Sequence, residues 1–369
     1  MHILFVANYS PPYGGGIQFV IASLTRALLA RGHEVSILAA DTGIPRGISE
    51  WKGARLIGVP ASNLLERRSV PYPLFSPPAL RRALNEVLPS VDVVHIHGML
   101  YLSSVMAAWS ARRGGRRVIL TEHVGSVPYN NLLFRAAQAS AMATLGRACL
   151  RGCDEVVVLN GRVAAELQPL LPRRVSLRRI PNGVDAALFH PPSDRAALRE
   201  RLDLHTPTIL FAGRVVEKKG IDLVLDAARR LPEWTFAICG QDSELLSGTP
   251  ANVRIGGKLD QAALAEWYGA ADLLLLPSEG EGFPLVVQEA LACGLPVMVT
   301  DDATNREYLS DQVAFFVRRH GAQITGALRG VFDRAEDLAS RRAPARRWAV
   351  EHFDWERTVE AYLHLYQGK

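Results

Sequence analysis

The stretch Leu273-Leu-Leu-Leu-Pro-Ser-Glu-Gly-Glu-Gly-Phe-Pro-Leu-Val-Val-Gln-Glu-Ala-Leu-Ala-Cys-Gly-Leu-Pro-Val-Met-Val-Thr300 predicts a strand, a loop, a helix and a second strand. Its four leading leucines form an uninterrupted apolar run, which is typical of a strand covered by helices on both faces of a sheet. The loop contains glycines, and Pro284 stands near the first turn of the helix, where proline is favoured. A strand, a helix and a strand in this order predict a parallel sheet with a crossover helix.

The same alternation continues along the whole chain. Short apolar runs predict six strands in the first half: His2–Asn8, Glu34–Ala40, Arg55–Val59, Val91–Ile96, Arg117–Thr121 and Glu155–Leu159. Six more are predicted in the second half: Thr208–Ala212, Thr235–Cys239, Val253–Ile255, Asp272–Leu276, Val297–Thr300 and Ala314–Val317. At 369 residues the chain is longer than one hydrophobic core usually organises, so two domains are expected.

Proline and glycine cluster between the two halves, from Ile180-Pro-Asn-Gly-Val-Asp185 to Pro191-Pro192. Such clusters mark turns and linkers rather than regular elements. We therefore predict an N-terminal domain over residues 1–180 and a C-terminal domain over residues 181–349, each a doubly wound, Rossmann-like α/β sheet facing a central cleft. In such sheets ligands bind beyond the carboxyl ends of the strands, so the loops there form the candidate site.

Positive charge is concentrated in the first half of the chain. Residues 1–176 contain 19 basic and 10 acidic residues, whereas residues 177–369 contain 23 and 27. This excess suggests an anionic partner, such as a membrane surface or a phosphate-bearing acceptor; an Arg-rich solvated surface is the alternative. The basic residues are scattered and no recognition motif accompanies them, which argues against nucleic acid as a partner.

The sequence predicts neither a membrane span nor a secretory leader. The longest apolar stretch, Ile17 to Ala30, is interrupted by polar and basic residues and is shorter than the ~20 residues that a span needs. The four cysteines, at positions 149, 153, 239 and 293, include no Cys-x-x-Cys pair, so we expect reduced, buried thiols and no disulfide or metal site. We expect a cytoplasmic protein whose basic half can contact the inner face of the membrane as a peripheral protein.

Three glycines, Gly14, Gly15 and Gly16, follow the first predicted strand, just before a helical pattern. Glycine lets the backbone approach a ligand closely, and the N–H groups at the start of a helix attract an anion. Asp41 ends the second strand, where a dinucleotide-binding fold has its ribose-binding acid. The glycines are adjacent rather than spaced Gly-x-Gly-x-x-Gly, so a nicotinamide-dependent oxidoreductase is disfavoured.

Histidines follow or end two strands of the first half. His123 comes directly after a buried strand, where its side chain can donate a hydrogen bond to a hydroxyl or phosphate of a ligand. His95 and His97 alternate along their strand, so both are expected on one face, as in a metal-binding pair. No third ligand is evident in the sequence, and we interpret these two histidines as structural.

Two cations stand at either end of a loop in the second half. Arg214 and Lys219 lie between a predicted strand and a helix that starts at Ile221. Arginine offers a bidentate fork and lysine a point charge, so the pair can bind a diphosphate and stabilise it as it departs. A salt-bridged surface loop is the alternative.

The helix start in the stretch quoted first is a second place for phosphate. The backbone N–H groups of Gly282, Phe283 and Leu285 can face phosphate oxygens, while Pro284 has no N–H to donate.

Two acids lie in the same stretch. Glu281, in the loop, can accept hydrogen bonds from sugar hydroxyls, and Glu289, inside the helix, is suited to bind the two hydroxyls of a ribose. The rest of this helix is almost wholly apolar. Because a buried carboxylate without a polar partner is costly, we predict that Glu289 binds a ligand.

In this order and spacing, the motifs resemble the retaining glycosyltransferases of family 4, which have the GT-B fold of two facing Rossmann-like domains. The resemblance covers essentially the whole chain. Its markers are the glycine loop, His123, Pro181-Asn-Gly-Val-Asp185, Gly213-Arg214 with Glu217-Lys-Lys-Gly220, and Glu281-x7-Glu289. The segment from Trp348 to Tyr362 also resembles the last helices of the family, so a helix over about residues 350–369 is expected to cross back onto the first domain.

The resemblance implies a role for each matching residue of the second domain. Arg214 and Lys219 are expected to bind the diphosphate of a nucleotide sugar, Glu281 the sugar hydroxyls and Glu289 the ribose. Backbone groups near Lys258 are expected to contact the base, which leaves UDP- and GDP-sugars undistinguished.

For the first domain, the resemblance implies that Gly15 and Gly16 approach the donor diphosphate and the acceptor, and that His123 contacts the transferred sugar. The implied reaction retains the anomeric configuration, by front-face attack assisted by the leaving phosphate, because no carboxylate stands out as a covalent nucleophile. No metal or other cofactor is expected, and the chain contains no Asp-x-Asp motif. The expected acceptor is an anionic, lipid-linked or other glycan used for cell-surface polysaccharide, glycolipid or glycoconjugate synthesis.

The sequence departs from the family at Pro284, where glycine is frequent; proline removes one phosphate-facing N–H but suits the start of a helix. Two alternatives share the architecture. A nucleotide-sugar epimerase would convert the donor without any acceptor. A non-catalytic sugar- or lipid-binding relic is disfavoured, because a relic need not keep a complete set of donor-site residues.

Overall fold

A computed structural model describes residues 1–64, 72–126, 131–241 and 244–368 of the chain. They form two compact units, Met1–Pro181 with Val359–Lys369, and Asn182–Thr358. The division falls between Pro181 and Asn182, inside the proline- and glycine-rich cluster. Each unit is built around one parallel sheet with its own apolar core.

The sheet of unit 1 is doubly wound. The strands described in this unit are β1 His2–Val6, β2 Glu34–Ala40, β3 Gly47–Trp51, β4 Ala54–Val59, β5 Ala61–Ser62, β6 Leu74–Phe75, β7 Val93–His97, β8 Arg117–Glu122, β9 Glu155–Val158 and β10 Ser176–Arg179. The main sheet has the order β10-β9-β8-β7-β1-β2-β4-β3, and β3 pairs antiparallel with β4 while the other pairs are parallel. The strand order reverses at β1, which lies between β7 and β2.

Helices cover this sheet with apolar stripes at helical spacing. They are α1 Gly16–Ala30, α2 Pro77–Val87, α3 Leu102–Arg113, α4 Leu132–Ala141, α5 Arg147–Gly152 and α6 Gly161–Leu167. In α1, for example, Ile21, Leu24 and Leu28 are spaced by three and four residues and are fully buried. A π-helical turn, Met142–Gly146, joins α4 to α5.

Unit 2 repeats the architecture with a fully parallel sheet. Its strands are β11 Thr208–Ala212, β12 Thr235–Cys239, β13 Val253–Gly257, β14 Leu273–Leu276, β15 Val297–Thr300 and β16 Ala314–Val317, in the order β13-β12-β11-β14-β15-β16. Its helices are α7 Arg195–Arg201, α8 Ile221–Arg230, α9 Gln261–Ala270, α10 Leu285–Ala292, α11 Ala303–Tyr308, α12 Gly321–Phe332, α13 Ala335–Ser340, α14 Arg342–His352 and the start of α15 Trp355–Tyr366. The order reverses at β11, between β12 and β14.

The doubly wound α/β prediction is confirmed. All twelve predicted strands are present, and their ends lie within two residues of the predicted ones. The prediction missed β3, β5, β6 and β10. Strands β3 and β10 lie at the two edges of their sheet, and most of their residues are exposed. They therefore lack the buried apolar run that marked the central strands.

The Pro-Asn-Gly-Val-Asp motif packs against the chain just before α15. The N–H of Val184 donates to the carbonyl oxygen of Phe353 at 2.8 Å, and Val184 pairs with Asp354 as an isolated parallel bridge. A Cβ on Gly183 would lie 2.5 Å from Cα of Trp355, which is closer than any side chain tolerates. The glycine of this motif is therefore required by packing.

The C-terminal helix differs from its predicted bounds. Residues 342–366 form two helices, α14 and α15, and the second begins at Trp355 and ends at Tyr366. From Val359 onwards the chain belongs to unit 1, where the Tyr366 hydroxyl lies 2.8 Å from Nδ1 of His95. The buried face of this helical end completes the core of unit 1.

All four cysteines are buried and free. Within the described ranges, no helix combines the length and the apolar character needed to cross a bilayer. In the same part of the chain, His, Cys, Asp and Glu side chains form no group of three or more that could hold a metal ion.

Candidate functional site

The predicted site residues follow strands at the carboxyl edge of each sheet. In unit 1 the glycine loop follows β1, and His123 follows β8. In unit 2 the loop with the two cations follows β11, and the segment with the two acids follows β14. Strands β1 and β11 lie where their strand orders reverse, which is where ligands of doubly wound sheets bind.

The glycine loop of unit 1 has a backbone that other residues rarely adopt. Gly14 and Gly15 have φ angles of 83° and 133°, and a Cβ on Gly15 would lie 2.6 Å from Oε1 of Gln18. Helix α1 begins at Gly16, one residue before the predicted start, and its N-cap Gly15 supplies no side-chain oxygen. The first turn of α1 therefore presents backbone N–H groups that an anion can bind.

His123 is buried, and its ring pairs with another histidine of the same unit. Its Nε2 lies 2.9 Å from Nδ1 of His97, and the two rings stack. Burial lowers the pKa of His123 to about 4, so the ring is neutral at physiological pH. Because the pair uses Nε2, Nδ1 is the nitrogen that remains for a ligand.

The alternation of His95 and His97 places both rings on one face of the sheet, as predicted, with their centroids 4.3 Å apart. His123, which directly follows the neighbouring strand β8, also approaches His97. The geometry is still that of hydrogen bonding, because Nδ1 and Nε2 point at each other. His95 is held by Tyr366 and by Thr121 at 2.8 Å each, which supports its structural role.

Glu122, which precedes His123, is a site residue that the sequence analysis did not assign. Its buried carboxylate accepts hydrogen bonds from the N–H groups of Met99, Val124 and Gly125 at 3.0–3.3 Å. Burial raises its pKa, and these three donors act in the opposite direction. Glu122 thus fixes the loop around His123. An acid at the end of a buried strand was the available signal.

Asp41 has protein partners that account for it. Its carboxylate accepts the N–H of Ala61 at 3.1 Å and pairs with Arg46 at 3.0 Å. These contacts within unit 1 explain an acid at position 41. Asp41 therefore no longer supports the nicotinamide-dependent oxidoreductase alternative.

In unit 2 the loop that contains Arg214 and Lys219 packs against the end of β14. A short 3₁₀ turn, Glu217–Lys219, ends at Gly220, which has a φ of 76°. A Cβ on Gly220 would lie 2.4 Å from the carbonyl oxygen of Pro277, so only glycine permits this approach. The loops that follow β11 and β14 are therefore held side by side.

This contact joins two predicted residues. Nζ of Lys219 lies 3.1 Å from Oε2 of Glu281, and both side chains are mostly buried. Arg214 lies in the same loop and is exposed, and within the described part of the chain it forms no ion pair. At this edge of the sheet, Lys219 is held by an ion pair with Glu281, while Arg214 is exposed and can bind a ligand.

Helix α10 begins as predicted, with Pro284 as its N-cap and Leu285 as its first residue. The cap makes no side-chain hydrogen bond, so the first turn offers backbone N–H groups to an anion. The side chain of Phe283 is buried and stacks on Tyr308 at 4.6 Å. Phe283 therefore contributes only its backbone to the surface and anchors the loop beside Gly282.

Glu289 is buried in α10, and it has one polar partner among the described residues of the protein. The hydroxyl of Tyr268, from α9, donates to Oε2 of Glu289 at 2.9 Å. Burial raises the pKa of Glu289 to about 7, and the hydrogen bond from Tyr268 opposes that rise. With Oε2 held by Tyr268, Oε1 is the oxygen that remains for a ligand. Tyr268 was missed because it stands 21 residues earlier in the chain.

Lys258 follows β13 and is exposed at the same edge of the sheet. Strand β13 is an edge strand, two places from β11. Lys258 therefore lies to one side of β11, the strand at which the strand order reverses. Gly257 before it has a φ of 69°, which turns the chain towards α9.

Two family models together match most of the chain. Residues 14–188 match the model described as Glycosyltransferase Family 4. Residues 194–342 match the model described as Glycosyl transferases group 1.

Individual proteins match over nearly the whole length. The chain is 31% identical to a D-inositol 3-phosphate glycosyltransferase of Xylanimonas cellulosilytica, over 95% of this chain and 91% of that protein. It is 28% identical to a GDP-mannose-dependent alpha-(1-6)-phosphatidylinositol dimannoside mannosyltransferase of Mycobacterium tuberculosis, over 98% and 95%. Among solved structures, sucrose-phosphate synthase from Thermosynechococcus elongatus has the same fold, with a TM-score of 0.79, 21% identity, and coverage of 100% and 98%.

Proposed function

The chain belongs to glycosyltransferase family 4, and from that premise we propose that it is a retaining enzyme which moves a sugar from a UDP- or GDP-sugar to an anionic acceptor. Its two doubly wound units are the Rossmann-like domains of the GT-B fold. That it is a glycosyltransferase is established by the family; the donor, the acceptor and the stereochemistry are the proposal.

The observation that carries the donor assignment is the contact between Lys219 and Glu281 at 3.1 Å. This contact joins the loops after β11 and β14, two adjacent strands at the point where the strand order reverses. The carboxyl edge of the unit 2 sheet therefore has a cation and an acid in direct contact. Arg214 and Lys219 would bind the diphosphate. Neutralising a diphosphate as it departs also stabilises the transition state.

The acids take separate roles in this proposal. Glu281, beside Lys219, would accept from the sugar hydroxyls, and Glu289, through Oε1, from the ribose. The first turn of α10, at Gly282–Leu285, would donate its N–H groups to phosphate, and Lys258 would lie near the base.

Unit 1 would contribute the first turn of α1, with Gly15 and Gly16, and the neutral ring of His123 as a hydrogen-bonding partner of the transferred sugar. A ring with a pKa of about 4 is suited to hydrogen bonding rather than to carrying charge. No metal is required by this scheme, since the cations are side chains.

An anionic acceptor is supported by two observations. The first half of the chain carries nine more basic than acidic residues. The names of the two relatives quoted above include D-inositol 3-phosphate and phosphatidylinositol dimannoside, and both are phosphate-bearing compounds. We propose a lipid-linked or other phosphate-bearing glycan acceptor, used in glycolipid or cell-surface glycan synthesis at the inner face of the membrane.

The donor assignment is tested by binding. A thermal-shift screen of nucleotide sugars identifies the donor, which should raise the melting temperature of the protein. Arg214→Ala and Glu289→Ala should then each abolish or strongly weaken donor binding in titration calorimetry. Arg201→Ala, which removes an exposed arginine paired with Glu266, is the matched control and should bind as wild type. Unchanged binding by the two site variants refutes the assignment.

The reaction is tested by product analysis. Retention predicts that the anomeric configuration of the donor sugar appears unchanged in the product by NMR, and inversion refutes it. Turnover of the donor to a different nucleotide sugar in the absence of acceptor would instead identify the epimerase alternative.

A further inference from the structure

His97 is buried in a way that its own packing does not explain. It is the last residue of β7 and is 1% exposed, and its Nδ1 lies 2.9 Å from Nε2 of His123. Its other ring nitrogen, Nε2, is enclosed and has no hydrogen-bond partner among the described residues. A buried polar atom without a partner is unfavourable, so an apolar side chain would suit this position in the core better.

His95, two residues earlier on the same face of the sheet, provides a contrast. Both of its ring nitrogens are used, since Nδ1 lies 2.8 Å from the hydroxyl of Tyr366 and Nε2 lies 2.8 Å from Oγ1 of Thr121. The hydrogen bonds of His95 are therefore complete within unit 1. In the described part of the chain, His97 forms its hydrogen bond only with His123, a predicted site residue.

The contact between His97 and His123 has room for one proton. Burial lowers the pKa of His97 well below its usual range and that of His123 to about 4, so both rings are neutral at physiological pH. In a neutral imidazole, one nitrogen is a donor and the other is an acceptor. Two arrangements of the pair therefore exist, and they give opposite character to Nδ1 of His123, the nitrogen that remains for a ligand.

The enclosed nitrogen of His97 decides between the two arrangements. If His123 donated, the proton of His97 would lie on Nε2, as a buried N–H group with no acceptor within the described ranges. If His97 donates, Nε2 has only a lone pair. Buried N–H groups without an acceptor are rarer in proteins than buried acceptors without a donor. His97 therefore donates through Nδ1, and His123 carries its own proton on Nδ1.

The ring of His123 is also held in one orientation. It stacks on the ring of His97, with the centroids 5.2 Å apart and the planes 21° from parallel. Glu122, immediately before it, accepts the N–H groups of Val124 and Gly125, immediately after it. The direction of the N–H bond at Nδ1 is therefore set before a ligand binds, as electrostatic preorganisation requires.

We propose that His97 is a positioning residue that fixes the tautomer of His123, so that Nδ1–H of His123 is a preorganised hydrogen-bond donor for an oxygen of the transferred sugar. The sugar as ligand rests on the proposed function, whereas the tautomer follows from the geometry of unit 1. His97 itself touches no ligand in this scheme and acts only through His123. That role explains why a side chain with an unpaired nitrogen stands in the core.

The tautomer is measured directly by NMR on the full chain with ¹⁵N-labelled histidine. Long-range proton–nitrogen correlations show which ring nitrogen carries the proton, and the spectrum of His123→Gln identifies the signals of His123 among the ten histidines. In the wild type at neutral pH, both His123 and His97 should carry the proton on Nδ1. This measurement needs no substitution in the core.

Two substitutions of His97 test its effect on His123. His97→Asn keeps an N–H group that can donate to Nε2 of His123, so the wild-type tautomer should remain. His97→Met offers only a thioether sulfur, a weak acceptor on an adaptable side chain, so the proton of His123 should move to Nε2. Tyr366→Phe is the matched control, because it removes a buried hydroxyl from His95 and should leave the tautomer of His123 unchanged.

Activity gives the second readout, with the donor that the thermal-shift screen identifies. His97→Met should lower kcat about tenfold or more and change KM for the donor less than about twofold, because the lost hydrogen bond is one that stabilises the transition state. His97→Asn should restore most of kcat. The melting temperature of His97→Met should stay close to that of the wild type, because the unpaired nitrogen is removed as well; a purely structural histidine would lose stability and activity together.

Three results overturn the proposal: wild-type His123 carries its proton on Nε2, His97→Met leaves that proton on Nδ1, or His97→Met moves the proton and keeps the full kcat. Failure of the proposed function is distinct from all three. If no nucleotide sugar binds or reacts, that function and the sugar as ligand of His123 both fail, while the spectra of the wild type still confirm or refute the tautomer.

Discussion

Replacing Tyr268 by phenylalanine tests how the buried carboxylate of Glu289 is prepared for a ligand. The substitution removes only the hydroxyl that donates to Oε2 of Glu289 at 2.9 Å. Tyr268 is fully buried, and the phenylalanine ring keeps its packing against Phe189. The expected effect is therefore on the protonation of Glu289 rather than on the fold.

The magnitude follows from the hydrogen bond. A hydrogen bond to a charged group contributes about 1.5–3 kcal/mol, and about 1.4 kcal/mol corresponds to one pH unit in a pKa. Burial raises the pKa of Glu289 to about 7 even with this bond in place. Without it, the pKa should rise by about one further pH unit, so the ionised fraction at about pH 7 falls from about a half to about a tenth.

The sign of the pH dependence is set by the role of the carboxylate. An ionised Glu289 accepts hydrogen bonds from hydroxyls more strongly than a protonated one, so donor affinity should rise with pH through about 7 in the wild type. In Tyr268→Phe the same rise should occur about one pH unit higher. Titration calorimetry should show affinity about fivefold weaker at about pH 7 and nearly equal at about pH 9.

Two controls accompany this measurement. Glu289→Gln removes the titrating group and should flatten the pH profile at a weak affinity. Tyr362→Phe removes a buried hydroxyl that bonds Thr121 in unit 1 and should leave the profile unchanged. A Tyr268→Phe profile that superimposes on wild type, or that is weakened equally at every pH, refutes the reasoning.

The remaining predictions concern stability. Gly220→Ala places a Cβ 2.4 Å from the Pro277 carbonyl oxygen at a φ of 76°, so the melting temperature should fall by the equivalent of more than about 2 kcal/mol, whereas Gly326→Ala, which meets no atom within 4 Å in α12, should raise it slightly. Glu289→Gln should stabilise the ligand-free protein in thermal melts at about pH 8 but not at about pH 4. In the wild type, burial raises the pKa of Glu289 from 4.5 to about 7 in the folded state. The wild-type protein therefore loses stability, on the order of 3 kcal/mol, as the pH rises between these values, and the glutamine variant does not. Tyr366→Phe leaves Nδ1 of the buried histidine 2.8 Å away without its partner and should cost about 1–2 kcal/mol by the same assay.

The fold was predictable because its central strands appear in the sequence as uninterrupted apolar runs. Leu273–Leu276 is fully buried, as a strand covered on both faces must be. Edge strands do not carry this signal. Ser176–Arg179 is polar and mostly exposed, and it becomes a strand only because β9 offers it hydrogen bonds. A sequence pattern records burial, and an edge strand is only partly buried.

The candidate site was predictable where it depends on local geometry. Gly220 and Pro284 shape loops through their own backbone restrictions, and their positions after β11 and β14 follow from the topology. Pairings between distant residues were not predictable. Neither the contact of His97 with His123 nor that of Tyr268 with Glu289 leaves a pattern in the sequence, because each joins side chains more than 20 residues apart.

Glu281 and Glu289 stand eight positions apart but are held in opposite ways, and the difference indicates what each can do. Glu281 forms an ion pair with Lys219 at 3.1 Å, so its charge already has a partner of opposite sign within the protein. Within the described ranges, the carboxylate of Glu289 is bound only by the neutral hydroxyl of Tyr268, and burial raises its pKa to about 7, so its ionised form is unfavourable there. A ligand that donates hydrogen bonds to Glu289 removes part of that cost when it binds, whereas one that approaches Glu281 has to share it with Lys219. Glu289 is therefore the stronger source of binding free energy for a neutral diol such as a ribose, and the Lys219–Glu281 pair is the better place to bind the charged part of a donor.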